Sequence, residues 1–364
     1  MRFITNSARS LVSMLFFRTW VITGRSKNCD HDLTILFGGS HGGSEAQLKY
    51  IQKLMFAVEP EIQSLGRQPR WKVNSLSKKH GVQLAFFPGT AAMSRFSRRK
   101  NDFFIPWWVA GDVNTSIDYT KRPWKKNLES DLRKVRKFQY EFTATRDPKD
   151  LEHFFNSMYL PLIKNSHGEG ALIRSFDEQL ETLRSGGELL FTLRDGEPVA
   201  GSLITYAGGT ARARTFGVKD AKYELLRDGV TAANYFGKIR HVNSKGYSTL
   251  HLGTCRAFLT DGVLNYKKKF GLRLIGHDRN GHFLRILQPS SCVKAFLENN
   301  PFIYLKDGEL WGSVFEGSNE LNSPELETRV SKLQITGLRG MDIFSMKTSL
   351  ESIVSPVSSK YAST

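Results

Sequence analysis

A change in hydrophobic spacing between residues 147 and 276 constrains the fold of this chain more than any other feature. Apolar residues first recur every three or four positions, which is typical of helices that bury one face. From Glu188 to Val218 they follow the two-residue period that is typical of half-buried strands. The spacing predicts this order: helices from Pro148 and from Phe176, strands Glu188–Arg194, Val199–Tyr206 and Ala211–Val218, helix Gly229–Ser244, strand Thr249–Leu252, helix Leu259–Phe270 and strand Leu272–Gly276.

Local capping and turn residues support these boundaries. Asp147 is a good N-cap before Pro148, and Ser175 followed by Glu178 matches a capping box. The pair Asp195-Gly196 between two alternating runs predicts a tight hairpin turn.

The chain before this region predicts a small α/β domain at residues 31–126. Leu33–Phe37 indicates a strand, the glycine-rich residues 38–44 a loop, and the residues from Ser44 to Met55 a helix, with further strands at Val82–Phe87 and Phe103–Ile105. The loop has neither a GxGxxG pattern nor a GK[ST] ending, so we interpret it as a permissive turn rather than a phosphate cradle.

The two ends of the chain are less regular. Residues 1–30 are basic, with Arg2, Arg9, Arg18, Arg25 and Lys27, and three interpretations compete: the first helix of a domain, an amphipathic segment on a membrane surface, or a cleaved targeting peptide. Residues 288–345 are expected to pack on the core as a C-terminal extension, with a helix at 293–298 and a hairpin at 302–315. Residues 346–364 are rich in serine and are expected to form a flexible tail.

The charge of the chain favours phosphate-bearing partners. Lys and Arg number 52 and Asp and Glu number 35, which gives a net charge of +17. A surface this positive attracts nucleic acid, a nucleotide cofactor or anionic lipid. Residues 121–137 predict an amphipathic helix with a cationic outer face, either a solvated face or a phosphate contact.

Some classes of protein are excluded by composition. No run of 18 apolar residues occurs, so no transmembrane helix is expected. The three cysteines are widely spaced and form no CxxC pair, which argues against a disulfide scaffold and a structural zinc site. His277, Asp278 and His282 lack a fourth ligand, so no metal is expected there.

Four stretches, in order, carry a resemblance to a known family. They are the basic run 130–137, the run from Phe154-Phe155 through Met158-Tyr159-Leu160-Pro161 to His167-Gly168, the hairpin Asp195-Gly196-Glu197-Pro198-Val199-Ala200-Gly201, and Asp261-Gly262 with Tyr266-Lys267-Lys268-Lys269-Phe270-Gly271. Residues 127–276 resemble the acyltransferase fold of the GNAT superfamily, in its FemAB-like and CelD-like branch. The resemblance implies an α/β (α+β) fold class, a mixed sheet flanked by helices, in an acyltransferase domain at 127–287. With the preceding domain interpreted as a degenerate copy, the resemblance implies two tandem GNAT-like domains.

The resemblance implies where an acyl donor would bind. In this fold the donor lies along the strand before the long helix, here Ala211–Val218, so Phe216 and Val218 are expected to contact it. The donor's phosphates would meet the loop and the first turn of the helix, where free N–H groups and the helix dipole favour anions. The expected phosphate-binding residues are Arg227, Gly229, Val230, Thr231 and Ala232. The loop spacing departs from that of coenzyme A-binding relatives.

The resemblance also implies catalytic candidates. Lys267 matches the lysine of the family's F-K motif and would stabilise negative charge on a phosphate or in the transition state. Tyr266 could protonate a leaving thiolate, although packing is the alternative. His251 is the candidate general base, although a packed strand histidine is the alternative. His167 and Asp261 are further polar candidates on the acceptor side.

Three functions remain open from the sequence. The first is transfer of an acyl group from acyl-CoA, such as acetyl-CoA, to an amine or hydroxyl of a cell-envelope or exopolysaccharide precursor. The second is aminoacyl-tRNA-dependent transfer to a lipid-linked peptide. The third is non-catalytic binding of nucleic acid or a membrane surface. A cytoplasmic protein is expected, with contact to an anionic membrane as an open alternative.

Overall fold

The computed structural model describes residues 15–39, 44–96, 101–117, 126–167, 173–317, 323–346 and 355–356. The chain divides into two compact units, and the second is inserted into the sequence of the first. The first unit is drawn from residues 1–109, 255–265 and 276–364, and the second from residues 110–254 and 266–275.

The described chain contains both strands and helices. The strands are β1 (Phe16–Arg25), β2 (Asp32–Gly39), β3 (Glu61–Pro69), β4 (Leu84–Thr90), β5 (Asp102–Pro106), β6 (Val109–Asn114), β7 (Glu141–Thr145), β8 (Glu188–Arg194), β9 (Glu197–Ala207), β10 (Thr210–Val218), β11 (Thr249–Cys255), β12 (Arg273–His277), β13 (Asn280–Ile286), β14 (Phe302–Lys306), β15 (Glu309–Glu316), β16 (Gly340–Ser345) and β17 (Ser355–Pro356). The α-helices are α1 (Ser44–Met55), α2 (Val73–Lys79), α3 (Ala91–Ser94), α4 (Lys126–Lys137), α5 (Pro148–Phe154), α6 (Leu160–His167), α7 (Phe176–Arg184), α8 (Tyr223–Arg227), α9 (Val230–Ser244), α10 (Gly262–Lys269), α11 (Ser291–Asn299) and α12 (Pro324–Leu333). Phe155–Tyr159 is a π-helical turn between α5 and α6, and Arg70–Lys72 and Lys219–Ala221 are 3₁₀ turns.

A ten-stranded mixed sheet organises the described residues of the first unit, in the order β17-β16-β15-β14-β5-β13-β4-β2-β1-β3. The pairs β2–β4 and β15–β16 are parallel, whereas β1–β2, β13–β4 and β14–β15 are antiparallel. Aromatic side chains fill its core. Phe103 on β5 alone makes edge-to-face contacts, at centroid distances between 5.2 and 5.7 Å, with Phe302, Tyr304, Phe315 and Phe344.

A seven-stranded mixed sheet organises the second unit, in the order β12-β6-β11-β10-β9-β8-β7. Strands β7 to β10 follow one another as antiparallel neighbours, since short turns join β8 to β9 and β9 to β10. Strand β11 is parallel to β10, and the long helix α9 provides the crossover that a parallel pair requires.

Helices cover both faces of this second sheet. On one face, Leu151, Phe154 and Met158 from α5 and the π turn pack against Leu189 and Leu203 of the strands. On the other face, Val230 and Ala233 of α9 pack with Val199, Ala200 and Val218. The expected fold class, a mixed α/β sheet flanked by helices, is therefore confirmed.

The capping and turn predictions in this unit are confirmed. The Asp147 side chain accepts a hydrogen bond from the Lys149 amide, and Ser175 and Glu178 form a complete capping box. Asp195 has a positive φ of 54° in the tight turn between β8 and β9.

One prediction for the N-terminal segment is wrong. Phe16–Arg25 forms strand β1, which pairs with both β2 and β3, so these residues are not a first helix. Residues 1–14 lie outside the described residues, as do the loop residues 40–43, the basic residues 118–125 and most of the tail predicted at 346–364. Among the described residues, no helix has both the length and the apolar character needed to cross a bilayer.

A buried carboxylate holds the C-terminal end of α9. Glu188 on β8 accepts hydrogen bonds from Arg146 and Lys245 at 2.8 Å, and from Tyr206 at 3.0 Å; His241 Nε2 is also 3.0 Å away. Burial alone would raise the pKa of Glu188, but the hydrogen bonds from Lys245, His241 and Tyr206 outweigh it and lower the pKa to about 2. Since His241 and Lys245 lie at the end of α9, this cluster anchors that helix to the sheet.

We expect Glu188→Gln to destabilise the protein by about 2 kcal/mol at pH 7, because a charged hydrogen-bond acceptor is lost. The folded-state pKa lies below the ordinary value of 4.5, so the carboxylate stabilises the fold above about pH 4.5 and this stabilisation is lost as the pH falls toward 2. Urea unfolding at pH 7 and pH 3 should therefore show a smaller difference between variant and wild type at pH 3. The exposed Glu197→Gln is the control; an equal loss at both pH values would contradict the electrostatic account.

Candidate active site

A gap opens between β10 and β11 in the second unit. Within the described residues, these parallel strands pair only at Ala211 with Leu250 and at Arg212 with His251. Strand β10 nevertheless continues to Val218 and β11 to Cys255. The described pairing between the two strands therefore stops after these residues, which leaves the facing edge of β10 beyond Arg212 without a described partner strand. We call this gap the cleft.

Two backbone irregularities account for the separation. The register of β10 with β9 shifts between Ala213 and Thr215, so Arg214 is the extra residue of a bulge, which bends a strand and increases its twist. On β11, Gly253 has a φ of 73°, a conformation that side-chain-bearing residues rarely adopt. Both irregularities fall just after the last paired residues of the two strands.

The π turn packs directly against the strand that borders the cleft. A Cβ atom at Gly217 of β10 would lie 2.6 Å from the backbone of Met158 and Tyr159. Only glycine permits this approach, and π turns of this kind often occur at functional sites. The π turn thus holds β10 in place from one face of the sheet, and so also fixes the position of the strand edge that borders the cleft.

Lys238 brings a buried amine to the β10 side of the cleft. It lies on α9 with 3% of its surface exposed, and its Nζ is 4.2 Å from the centroid of the Tyr235 ring and 5.6 Å from that of Phe216 on β10. Within the described residues, no carboxylate lies within salt-bridge distance of this Nζ. Aromatic ring faces are therefore its main electrostatic compensation.

Lys267 brings a second amine to the β11 side. It lies on α10, is 5% exposed, and its Nζ donates a hydrogen bond of 3.1 Å to the carbonyl oxygen of Thr254 on β11. The two lysines are close enough for their charges to repel. Burial and the positive charge of Lys267 lower the pKa of Lys238 to about 7. The cleft thus contains one amine that can be neutral near neutral pH beside a second lysine.

The first turn of α9 lies at the end of β10, after a short helical loop. Gly229 is the N-cap, with a φ of 89°, and Lys134 donates a 2.7 Å hydrogen bond to the carbonyl of Arg227 in this loop. Asp228 is paired with Arg194 at 2.9 Å, so its charge is compensated next to the helix N-terminus. The N–H groups of the first turn have no acceptor within the helix, as at any helix start.

The predicted donor-binding residues occupy different environments. Phe216 is half-buried and faces Lys238, whereas Val218 is fully buried in the core and offers a ligand only its backbone. Val230 and Ala232 are buried in the first turn of α9 and Thr231 is half-buried. The side chain of Arg227 is 64% exposed and its Nε lies 3.6 Å from Asp228. These residues follow one another from β10 to the start of α9.

His251 lies where β10 and β11 part, but its ring is engaged. The Gly253 amide donates a 3.0 Å hydrogen bond to Nδ1, so the neutral ring carries its proton on Nε2 and has no free lone pair. Burial, aided by the charges of Arg212 and Lys267, lowers the pKa of His251 despite the opposing effect of Asp112. This arrangement favours a hydrogen-bond donor over a general base at this position.

Tyr266 packs in an aromatic cluster on α10. Its ring lies 5.4 Å from that of Tyr235 and 5.8 Å from that of Phe270, and the Lys269 Nζ is 4.9 Å from its centroid. Burial, with a smaller effect of Asp131, raises the pKa of Tyr266. The hydroxyl is therefore a weak acid, and the contacts fit the packing alternative.

The two remaining candidates are not brought to the cleft by any described contact. Asp261 belongs to the first unit, where its carboxylate accepts a 2.9 Å hydrogen bond from the Leu264 amide and caps α10. His167 is the last residue of α6, and its side chain lies outside the described residues.

Lys238 is the functional candidate that sequence reasoning missed. The signal was present, because Tyr235, Lys238 and Val242 follow the three- and four-residue spacing of a buried helical stripe. A lysine at a core position of such a stripe is unusual and points to a special environment. In the described part of the chain, no group of three or more His, Cys, Asp or Glu side chains could hold a metal ion.

Comparisons with known proteins give only distant similarities. No family model matches the sequence, and no curated protein matches it significantly. Among solved structures, L-PGS from Bacillus licheniformis is 10% identical with a TM-score of 0.38, covering 78% of this chain and 86% of that one. FemX is 11% identical with a TM-score of 0.38, covering 73% and 84% of the two chains. A GCN5-related N-acetyltransferase from Sphaerobacter thermophilus is 10% identical with a TM-score of 0.33, covering 73% and 76%. Similarity at this level says nothing about substrate or mechanism, so function has to be inferred from the side chains of the cleft.

We expect Lys238→Met to stabilise the protein by about 1–3 kcal/mol at pH 7, because a buried amine that must lose its proton is replaced by an apolar side chain of similar length. The folded-state pKa of about 7 lies below the ordinary value of 10.5, so the wild type gains stability as the pH rises from 7 to 10.5. The advantage of the variant should therefore shrink over that range in thermal unfolding. The exposed Lys149→Met should show no such pH dependence, and a constant difference for Lys238→Met would contradict the lowered pKa.

Proposed function

We propose that the second unit is an acyltransferase that moves an acyl group from a thioester or ester donor to an amine or hydroxyl acceptor. The observation that carries this proposal is the pair of buried lysines, Lys238 and Lys267, on the two sides of the gap between β10 and β11. Acyl transfer needs a group that accepts a proton from the nucleophile and a positive group that stabilises the developing oxyanion. The cleft supplies one lysine for each role.

Acyl-CoA is the donor that this cleft suits best. The edge of β10 beyond Arg212 has no described partner strand and can hydrogen-bond to an extended chain in the manner of an added strand. The strand leads through the Lys219–Ala221 turn and α8 to the start of α9, where free N–H groups can bind phosphate. Phe216 and the backbone of Val218 would contact the chain of the donor, and Gly229, Val230, Thr231 and Ala232 its phosphates, with Arg227 on the exposed side.

The proton and electron movements can be assigned to named groups. The neutral amine of Lys238 accepts a proton from the acceptor amine, whose nitrogen lone pair forms a bond to the carbonyl carbon. Lys267 donates one N–H to Thr254 and uses another to hold the carbonyl oxygen as its charge becomes negative. When the bond from carbon to sulfur breaks, the thiolate takes the proton from Lys238. The products are an amide and a thiol, and Lys238 is neutral again.

Aminoacyl-tRNA is the alternative donor. The chain carries a net charge of +17, and α4 presents Arg133, Arg136 and Lys137 to solvent. A polyanion that engages many phosphates would use such a face, whereas the phosphates of coenzyme A need only the start of α9. The acceptor would be a cell-envelope or exopolysaccharide precursor with acyl-CoA as donor, and a lipid-linked peptide with aminoacyl-tRNA as donor. Both follow from the sequence resemblance.

We expect Lys267→Met to reduce turnover by about 100-fold or more, because the oxyanion loses its donor. Lys238→Met should reduce turnover by about 100-fold and also abolish the ionisation near pH 7 in the rate profile. The control is Lys268→Met, which removes the same charge from the neighbouring position of α10. Turnover with a panel of amine acceptors and acetyl-CoA measures this effect, with the melting temperature recorded alongside. A loss in proportion to stability, or an equal loss in Lys268→Met, would make the lysines structural.

A binding titration should separate the donors. We expect coenzyme A to raise the melting temperature of the wild type and to bind Lys267→Met more weakly. Charged tRNA should instead bind with an affinity that falls steeply with salt if it is the donor. Binding of tRNA without any transfer would favour the non-catalytic alternative, and no thermal shift with either ligand would count against both enzymatic proposals.

A further inference from the structure

The first unit contains a cavity that the proposed acyl transfer does not use. Its volume is about 40 Å³, and it lies among Gln47 and Tyr50 of α1, Trp107, Arg256, Phe258 and His282. Since a cavity needs roughly 10–15 Å³ for each water molecule, this one has room for about three water-sized groups. All of its lining residues belong to the first unit, and none is a residue of the cleft.

Arg256 gives this cavity a positive edge. Its guanidinium lies 4.4 Å from the centroid of the Tyr50 ring and 4.2 Å from that of Trp108. Two aromatic rings therefore lie beside the guanidinium, which has N–H groups in its plane for hydrogen bonding. Between described residues, no hydrogen bond or salt bridge to this guanidinium occurs.

The remaining polar groups of the cavity define what a ligand must offer. Gln47 Oε1 is buried without a hydrogen-bond partner, a situation that is unfavourable unless a ligand or water donates to it. His282 is already satisfied, since its Nδ1 accepts from the Trp107 indole at 3.0 Å and its Nε2 lies 3.2 Å from the Gly38 carbonyl. Burial lowers the pKa of His282 to about 4, so this wall is uncharged at neutral pH.

We propose that this cavity binds the carboxylate and the neighbouring N–H of a small ligand, as an N-acylated amino acid offers, while the rest of that ligand lies outside the cavity. The carboxylate pairs with the in-plane N–H groups of Arg256, and the N–H donates to Gln47 Oε1. Arg256 is the one charged residue among the lining residues, and the other walls are mostly apolar. A planar carboxylate matches the fork of N–H groups on a guanidinium, and the negative charge of Asp261, which acts on Arg256 from outside the cavity lining, makes a phosphate dianion less favourable still.

This proposal does not rest on acyl transfer in the second unit, and it is tested by binding alone. N-acetylalanine, its uncharged analogue N-acetylalaninamide and inorganic phosphate are titrated into the full chain by calorimetry. We expect the acid to bind at least tenfold more tightly than the amide, and phosphate not to compete. Arg256→Met should reduce the affinity for the acid to that of the amide. Gln47→Met should weaken both probes by a similar factor, because both carry the N–H group.

Two further variants keep the result interpretable. Lys49→Met removes an exposed positive charge from α1 and should leave the affinity for the acid unchanged. Arg256→Lys retains the charge and should bind the acid with an affinity between those of wild type and Arg256→Met, which covers the case in which the methionine variant does not fold. Equal binding of acid and amide, competition by phosphate, or no binding of any probe would each overturn the proposal.

Discussion

An amine buried without a carboxylate is the constraint on which the second unit depends. Lys238 is surrounded by aromatic rings and lies near a second lysine, so its charged form is unfavourable in the folded protein. Interactions elsewhere in the unit must offset that cost. A chain folding for stability alone would place an apolar residue at this position of α9, as it does at Val242. The cost therefore suggests a role for the amine itself.

The anchoring of α9 explains why Lys238 cannot escape to solvent. At its N-terminus, Lys134 and Tyr140 hydrogen-bond to the carbonyls of Arg227 and Asp228. In its middle, Asn234 accepts from Ser202 at 2.8 Å and donates to Thr192 at 3.2 Å. At its end, the Glu188 cluster holds His241 and Lys245. Polar contacts at the start, the middle and the end of α9 fix this helix. They therefore hold the Lys238 side chain in its unfavourable buried position next to the cleft.

The sequence predicted the elements of the second unit well because their signals are local. The capping box at Ser175, the Asp195-Gly196 turn and the stripe from Leu151 to Met158 each act within a few residues, so no knowledge of the rest of the fold is needed. Strand β3 shows the opposite case: it is almost entirely exposed and has no alternation to detect, since only its pairing with β1 makes it a strand. The position of β6 beside β11 likewise depends on contacts between distant parts of the chain.

The same distinction between local and long-range signals applies to the candidate site. Lys267 could be proposed from a motif, and its hydrogen bond to Thr254 required the structure. Lys238 was missed because a lysine in a helix is usually exposed, and the cavity at Arg256 could not be seen in the sequence because Gln47 and Arg256 are far apart in the chain. His251 was proposed from its strand position, but the amide of Gly253, two residues away, occupies the lone pair that a base would need.

The distribution of charge bears on the choice of donor. The lysines of the cleft are buried and cannot contribute to a long-range field as exposed residues do, so they do not account for the excess of 17 positive charges. That excess is carried on surfaces such as the outer face of α4.

A small donor bound by a strand edge and one helix N-terminus gains little from such a surface beyond faster encounter. A nucleic acid, or an acceptor held at an anionic membrane, gains affinity from it with each phosphate it engages. In the proposed reaction the donor and the acceptor therefore need not be recognised by the same features: the cleft would bind the acyl donor, and the basic surface would bind a larger anionic partner.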